Sequence, residues 1–226
     1  MKKILIFLIL STIISALLLR YLFSGKPRDL GVKFTPADYQ AADEKFGVEI
    51  GTIESATSVK DSLVYSGKKD INLALNSSQI TAYAAAETWK YSPISDLQIK
   101  INPDGTGEVS GRLNIENVLS YVSLVTPVDE VQKAINKFKI PATPIFYTKG
   151  TVSVTDNKVN FSLQSFEVAH IPVPQNYVSE NTGALNNFVT DRLNSIPDLY
   201  IRSLTLDNAQ ANIDATIPEK VLKVEK

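Results

Sequence analysis

The sequence predicts an α+β domain behind an N-terminal transmembrane helix, with a curved antiparallel sheet built from hairpins and wrapped on interspersed helices. Three observations predict it. A long apolar run opens the chain. The strand-length segments that follow alternate apolar and polar residues, the pattern of antiparallel sheet with one wet face. Helical segments fall between them and are the available cover for the dry faces.

The opening run extends from Ile4 to Phe23 and is broken by Ser11, Thr12, Ser15 and Arg20. Its 20 residues match the thickness of a bilayer core. Arg20 lies near the far end, where its stem can snorkel, and Tyr21 and Phe23 suit the interface. No A-x-A site follows, which favours an uncleaved anchor over a cleaved signal peptide. The run has no polar face, which argues against a buried core helix. Lys2 and Lys3 place the N-terminus inside and the body outside the cell, against the opposing pull of Arg20, Lys26 and Arg28. The expected organisation is a single-pass signal anchor over residues 1–24, a tether over 25–34 and an extracytoplasmic domain over 35–226.

Five of the 23 Lys and Arg residues lie in residues 1–28, which hold no acid, so the body carries 18 basic against 24 acidic residues, net −6. An acidic body repels phosphate backbones, and nucleic acid is not an expected partner. The chain has no cysteine, which removes disulfides, thiolate catalysis and zinc-finger chemistry together. Hydrophobic residues make up 44% of the chain, enough for a folded core after the anchor is set aside.

Within the body, Thr35 caps a helix that Pro36 and Asp38 favour and Gly47 ends. Leu63–Ser66 and Asp70–Asn76 flank Gly67-Lys68-Lys69 and read as a hairpin. Ser77 or Ser78 caps a helix running to Trp89. After Pro93, Leu97, Ile99 and Ile101 alternate with polar residues up to the turn Asn102-Pro103-Asp104-Gly105. The return strand sets Val109 and Leu113 against Glu108, Ser110 and Arg112. Glu116–Lys139 is helical with a break near Pro127. A hairpin follows, Ile145–Thr155 and Lys158–Val168, turned at Asp156-Asn157. Pro172-Val173-Pro174 opens a helix over Gln175–Leu193. The last hairpin spans Leu199–Ile217 and turns at Asp207-Asn208.

A faint repeat runs through these elements. Asp96-Leu97-Gln98-Ile99-Lys100 matches Asp198-Leu199-Tyr200-Ile201-Arg202 in character, about 102 residues on, and each segment follows a helix and a proline. The exits, Glu116-Asn117-Val118-Leu119 and Glu219-Lys220-Val221-Leu222, also match. The body then reads as two hairpin–helix–hairpin units.

Leu75–Tyr83, Pro93–Leu113 and Phe161–Val173 with Gln175–Ile217 together resemble the tubular lipid-binding (TULIP-like) domains, in particular AsmA-like small membrane-anchored bacterial envelope proteins. The resemblance implies that an acyl chain or other apolar molecule sits between a curved sheet and a long helix, in envelope lipid traffic or homeostasis. This chain is shorter than two-lobed carriers of that kind, which points to a shallow groove rather than a tunnel.

Catalysis would need a constellation that the sequence does not offer. His170 is the single histidine and stands at a strand end. Asp43-Glu44 and Asp129-Glu130 fit solvated or dipole-matching positions. No P-loop, G-x-S-x-G, H-E-x-x-H or dinucleotide motif occurs. The chain is therefore expected to be a non-enzyme with no cofactor and no metal. The remaining candidates are apolar: Ile80, Tyr83 and Ala84; Val118, Tyr121 and Val122; and Tyr177, Leu185, Phe188 and Val189. Each stripe is either packed core or the lining of a lipid groove. The expected function is lipid binding at the membrane, and the alternative is a non-catalytic structural or protein-interaction domain of the envelope.

Overall fold

A computed structural model describes residues 25–226, so the expected anchor over residues 1–24 lies outside the described residues. Among the described residues no helix is long and apolar enough to cross a membrane. The described chain is α+β, with curved antiparallel sheet and five helices.

Helix α1 (Pro36–Phe46) begins where the sequence places it. Thr35 and Asp38 form a reciprocal capping box, and Gly47 closes the helix in the left-handed conformation at φ 54°. Strand β1 (Glu49–Thr52) follows, then β2 (Leu63–Ser66) and β3 (Lys69–Asn76). The expected β2–β3 hairpin does not form. Strand β2 pairs antiparallel with β11 (Lys220–Lys223), β1 pairs parallel with β11, and β3 joins a different sheet. Helix α2 covers Ser77–Ala85. Its cap is Asn76, one residue before the serines favoured by the sequence, and it stops short of Trp89.

Strands β4 (Ile94–Ile101) and β5 (Gly107–Leu113) form the expected hairpin. The expected helix with a break resolves into α3 (Ile115–Val122) and α4 (Asp129–Phe138), separated at Pro127 as the residue's ring and missing N–H require. The hairpin β6 (Ile145–Thr155) and β7 (Lys158–Val168) has the bounds that the sequence indicates. Its Asp156 and Asn157 both take positive φ, 50° and 61°, the geometry of a two-residue turn matched to strand twist. The two-residue strand β8 (Ile171–Pro172) turns back on β7 through Ala169 and His170, again at positive φ. Helix α5 (Gln175–Asn194) and the hairpin β9 (Tyr200–Asp207) and β10 (Gln210–Ile217) complete the chain.

The large sheet has the order β3-β10-β9-β6-β5-β4, with β7 and β8 on the other side of β6. Strand β6 meets β5 along its first half and β9 at its last two residues, so the two hairpins share one side of it. The pairing sorts the faces. Ile71, Leu73 and Leu75 stand beside Ala215, Ile213 and Ala211, which stand beside Ile201, Leu204 and Leu206. Asn72, Asp214 and Ser203 lie across the opposite, polar face.

Side chains from helices close two strand edges. Thr81 of α2 is fully buried. Its hydroxyl accepts from the Ile99 N–H at 2.9 Å and donates to the Ile99 carbonyl at 3.0 Å, while the Ser77 hydroxyl accepts from Ile101 N–H. On β7, Asn186 and Thr190 of α5 accept from the N–H groups of Phe161 and Val159. An uncovered edge invites pairing with another chain, and these hydroxyl and amide groups occupy the sites such a chain would use. Thr81→Val keeps the shape and orphans the part-buried N–H and carbonyl of Ile99. It is expected to cost about 2 kcal/mol in denaturant unfolding.

Residues 25–34, expected as a tether, lie as a strap across the polar face. The Arg28 guanidinium stacks 3.8 Å over the Tyr147 ring, and its Nη2 donates to both carboxylate oxygens of Glu167 at 2.9 Å. Leu30 N–H donates to Gln98 Oε1, Ser78 Oγ donates to the Lys33 carbonyl, and Arg112 Nη2 reaches the Gly25 carbonyl. From Gly25 to Lys33 the strap thus touches β5, then β6 and β7, then β4 and α2.

The repeat is visible at one point. Asp96 and Asp198, its matched residues, both take positive φ, 52° and 58°. The exits diverge: Glu116-Asn117-Val118-Leu119 is helix α3, and Lys220-Val221-Leu222 is strand β11.

Candidate apolar binding site

The candidate residues divide among three helices, and two of these helices meet. Tyr121 of α3 and Phe188 of α5 pack edge to face, ring centroids 6.1 Å apart. Trp89 stands on the other side of Tyr121 at 6.3 Å. Val122 is buried, and Val118, Tyr121, Phe188 and Val189 are half-buried. The last turn of α5 adds Arg192, its guanidinium 5.3 Å from the Tyr121 ring centre. Burial raises the Tyr121 hydroxyl above its ordinary range, with Arg192 pulling the other way, so the group stays neutral at physiological pH.

Why α3 and α5 carry these side chains is a matter of spacing. Val118, Tyr121 and Val122 fall three and four apart on α3. On α5, Leu185, Phe188 and Arg192 form one stripe, continued toward the N-terminus by Tyr177. Asn186 and Thr190 lie on the opposite side of the helix, each two residues from Phe188, where they bind the β7 edge. That edge contact therefore fixes the rotation of α5 and aims the apolar stripe.

The other candidates serve elsewhere. Tyr83 packs between Phe46 and Tyr39 of α1, at 4.6 and 6.1 Å, and burial pushes its hydroxyl pKa up to about 12. Ile80 and Ala84 lie with Tyr83 on α2 and are half-buried. Tyr177 packs edge to face on Phe138 of α4 at 6.0 Å, and both remain exposed, as does Leu185.

Three participants escape the sequence reading. The sequence predicts Trp89 at the end of a helix, and the helix ends at Ala85. Phe138 ends a short helix whose docking is not local. Arg192 is not among the residues that the sequence singles out, although its spacing from Leu185 and Phe188 puts it on the apolar stripe.

A shallow hollow lies on the strap side, lined by Arg28, Ile145, Phe146, Tyr147, Glu167 and His170. Beside it, burial acts to raise Glu108, but hydrogen bonds donated by Asn102 and the Tyr147 hydroxyl more than offset this and hold it below its ordinary range. Among the described residues no group of three or more His, Cys, Asp or Glu side chains is placed to hold a metal. Comparison of the chain and its fold with family models, curated proteins and solved structures gives no match.

Proposed function

We propose that this domain, tethered at the membrane on its extracytoplasmic side, binds lipid or another apolar chain between helix and sheet. The observation that carries the reading is incomplete cover of the dry face. Leu73, Ile213 and Leu204 face the same way on three adjacent strands, and all three are only half-buried. Side chains of this kind in the middle of a sheet are ordinarily sealed. In this reading the seam of Tyr121 and Phe188 is the helical wall, and the TULIP-like resemblance supports the same use.

The test is lipid extraction and mass spectrometry of the protein, with uptake of a fluorescent fatty acid. A soluble fragment should begin at Gly25, because starting after Arg28 removes the strap contacts to Tyr147 and Glu167. Phe188→Asp is expected to lower uptake at least tenfold, since a carboxylate in the apolar wall must be desolvated. Absence of both co-purified lipid and uptake rejects the proposal.

A second reading, a non-catalytic structural or protein-interaction domain, is favoured by the exposed Phe138–Tyr177 pair. It predicts a crosslinked protein partner on α4 and α5 and no bound lipid.

A further inference from the structure

Two charged side chains among the described residues are more than nine-tenths buried, Arg192 and Lys223, each 7% exposed. They are treated differently. Lys223 Nζ donates to Glu87 Oε1 at 2.7 Å, so a buried ammonium meets a carboxylate that stands in solvent. Arg192 has neutral neighbours. Its Nη1 donates to Ser195 Oγ at 2.9 Å, its Nη2 reaches the Tyr65 hydroxyl at 3.4 Å, and its Nε has no hydrogen-bond partner. Burying a cation without an anion is costly, and the stacked Tyr121 ring returns only part of that cost. A guanidinium with spare donors matches a planar or tetrahedral oxyanion.

The same arginine ends the apolar stripe. From Arg192 back to Leu185 is roughly 10 Å of helix, and the exposed Asn181 separates that stretch from Tyr177. Tyr121, Phe188 and Tyr65 are half-buried, so the guanidinium lies one side chain below the surface. The Tyr65 contact is long and readily exchanged.

We infer that Arg192 is the head-group anchor of the apolar site, and that the ligand is a single-chain amphiphile with an anionic head. The inference rests on the apolar-site reading above and narrows it to carboxylate- or phosphate-headed molecules, with the tail running along Phe188 and Leu185.

Trp89 is the only tryptophan and stands beside Tyr121, so it reports directly on this site. The full chain in non-ionic detergent is titrated with brominated dodecanoate, brominated dodecyl phosphate and brominated dodecanol, and quenching of Trp89 is followed. One or both anions are expected to bind at least tenfold tighter than the alcohol, and the two anionic arms tell which head is preferred. Arg192→Met is expected to reduce the anions to the alcohol's affinity, and Arg192→Lys to retain part of the difference. Equal binding of anion and alcohol overturns the inference and leaves the apolar site standing. No saturable quenching by any of the three overturns both. A readout that needs no variant is the titration of ¹³C-carboxyl dodecanoate on the wild-type chain. Beside Arg192 its pKa falls below that of the same acid in detergent alone, and an unshifted or raised value overturns the inference.

Discussion

Trp89→Ala is expected to remove about 3–5 kcal/mol of folding stability, the range for deleting a large buried aromatic ring. Trp89 is 5% exposed and joins parts of the chain that are far apart in sequence. Its indole N–H donates to the fully buried Ser62 Oγ at 3.0 Å, and its ring packs on Tyr91 and Tyr121. Its backbone bridges to Glu225, flanked by the bonds from Lys90 N–H to the Val224 carbonyl and from Lys226 N–H to the Thr88 carbonyl. The substitution therefore opens a cavity where β2, the C-terminal segment and α3 converge. Denaturant unfolding followed by far-ultraviolet circular dichroism measures the loss. A loss below about 1.5 kcal/mol would show that these segments collapse around the missing ring, contrary to a close-packed cluster.

Asn157→Ala should cost about 3 kcal/mol, from two sources that can be separated. The Asn157 side chain is buried. Its Nδ2 donates to Asn194 Oδ1 and to the Leu199 carbonyl, both at 3.1 Å, and its Oδ1 accepts from Ile201 N–H at 2.6 Å. One turn residue thus ties the β6–β7 hairpin to the end of α5 and the start of β9. Alanine loses these bonds and also adopts φ 61° at a penalty of about 1–2 kcal/mol. Glycine loses the bonds but not the backbone preference. Asn157→Gly is accordingly expected to recover most of that penalty. Equal destabilisation by the two variants would mean that the turn relaxes out of the left-handed region.

The contrast between these two residues shows what sequence makes legible. The β6–β7 hairpin is readable because period-two alternation and a two-residue Asp-Asn turn act together, and both are local. The same holds for α1, with Thr35, Pro36, Asp38 and Gly47 all within one short segment. Strand β2 has comparable alternation and a plausible Gly67 turn, yet its partner is β11, more than 150 residues away. No local signal encodes that choice. At the site, the stripes on α3 and α5 are visible as stripes, because helical spacing shows in the residue order. Their meeting at Tyr121 and Phe188 is set by the grip of Asn186 and Thr190 on the β7 edge, a tertiary fact. The missing acid beside Arg192 is likewise invisible until the fold shows which charges reach it.

The strap changes the mechanics of whatever holds the chain before residue 25. A slack linker would let the domain tumble and drift. With Arg28 on Tyr147 and Glu167, residues 25–34 are part of the folded body and add no slack of their own. Peeling residues 25–34 from the sheet would release ten residues, at most about 35 Å of added reach. The first hold to yield, Arg112 on Gly25, is also the loosest at 3.5 Å, and the bidentate Arg28–Glu167 clasp comes next. The length of free chain ahead of the body is therefore set by these few contacts.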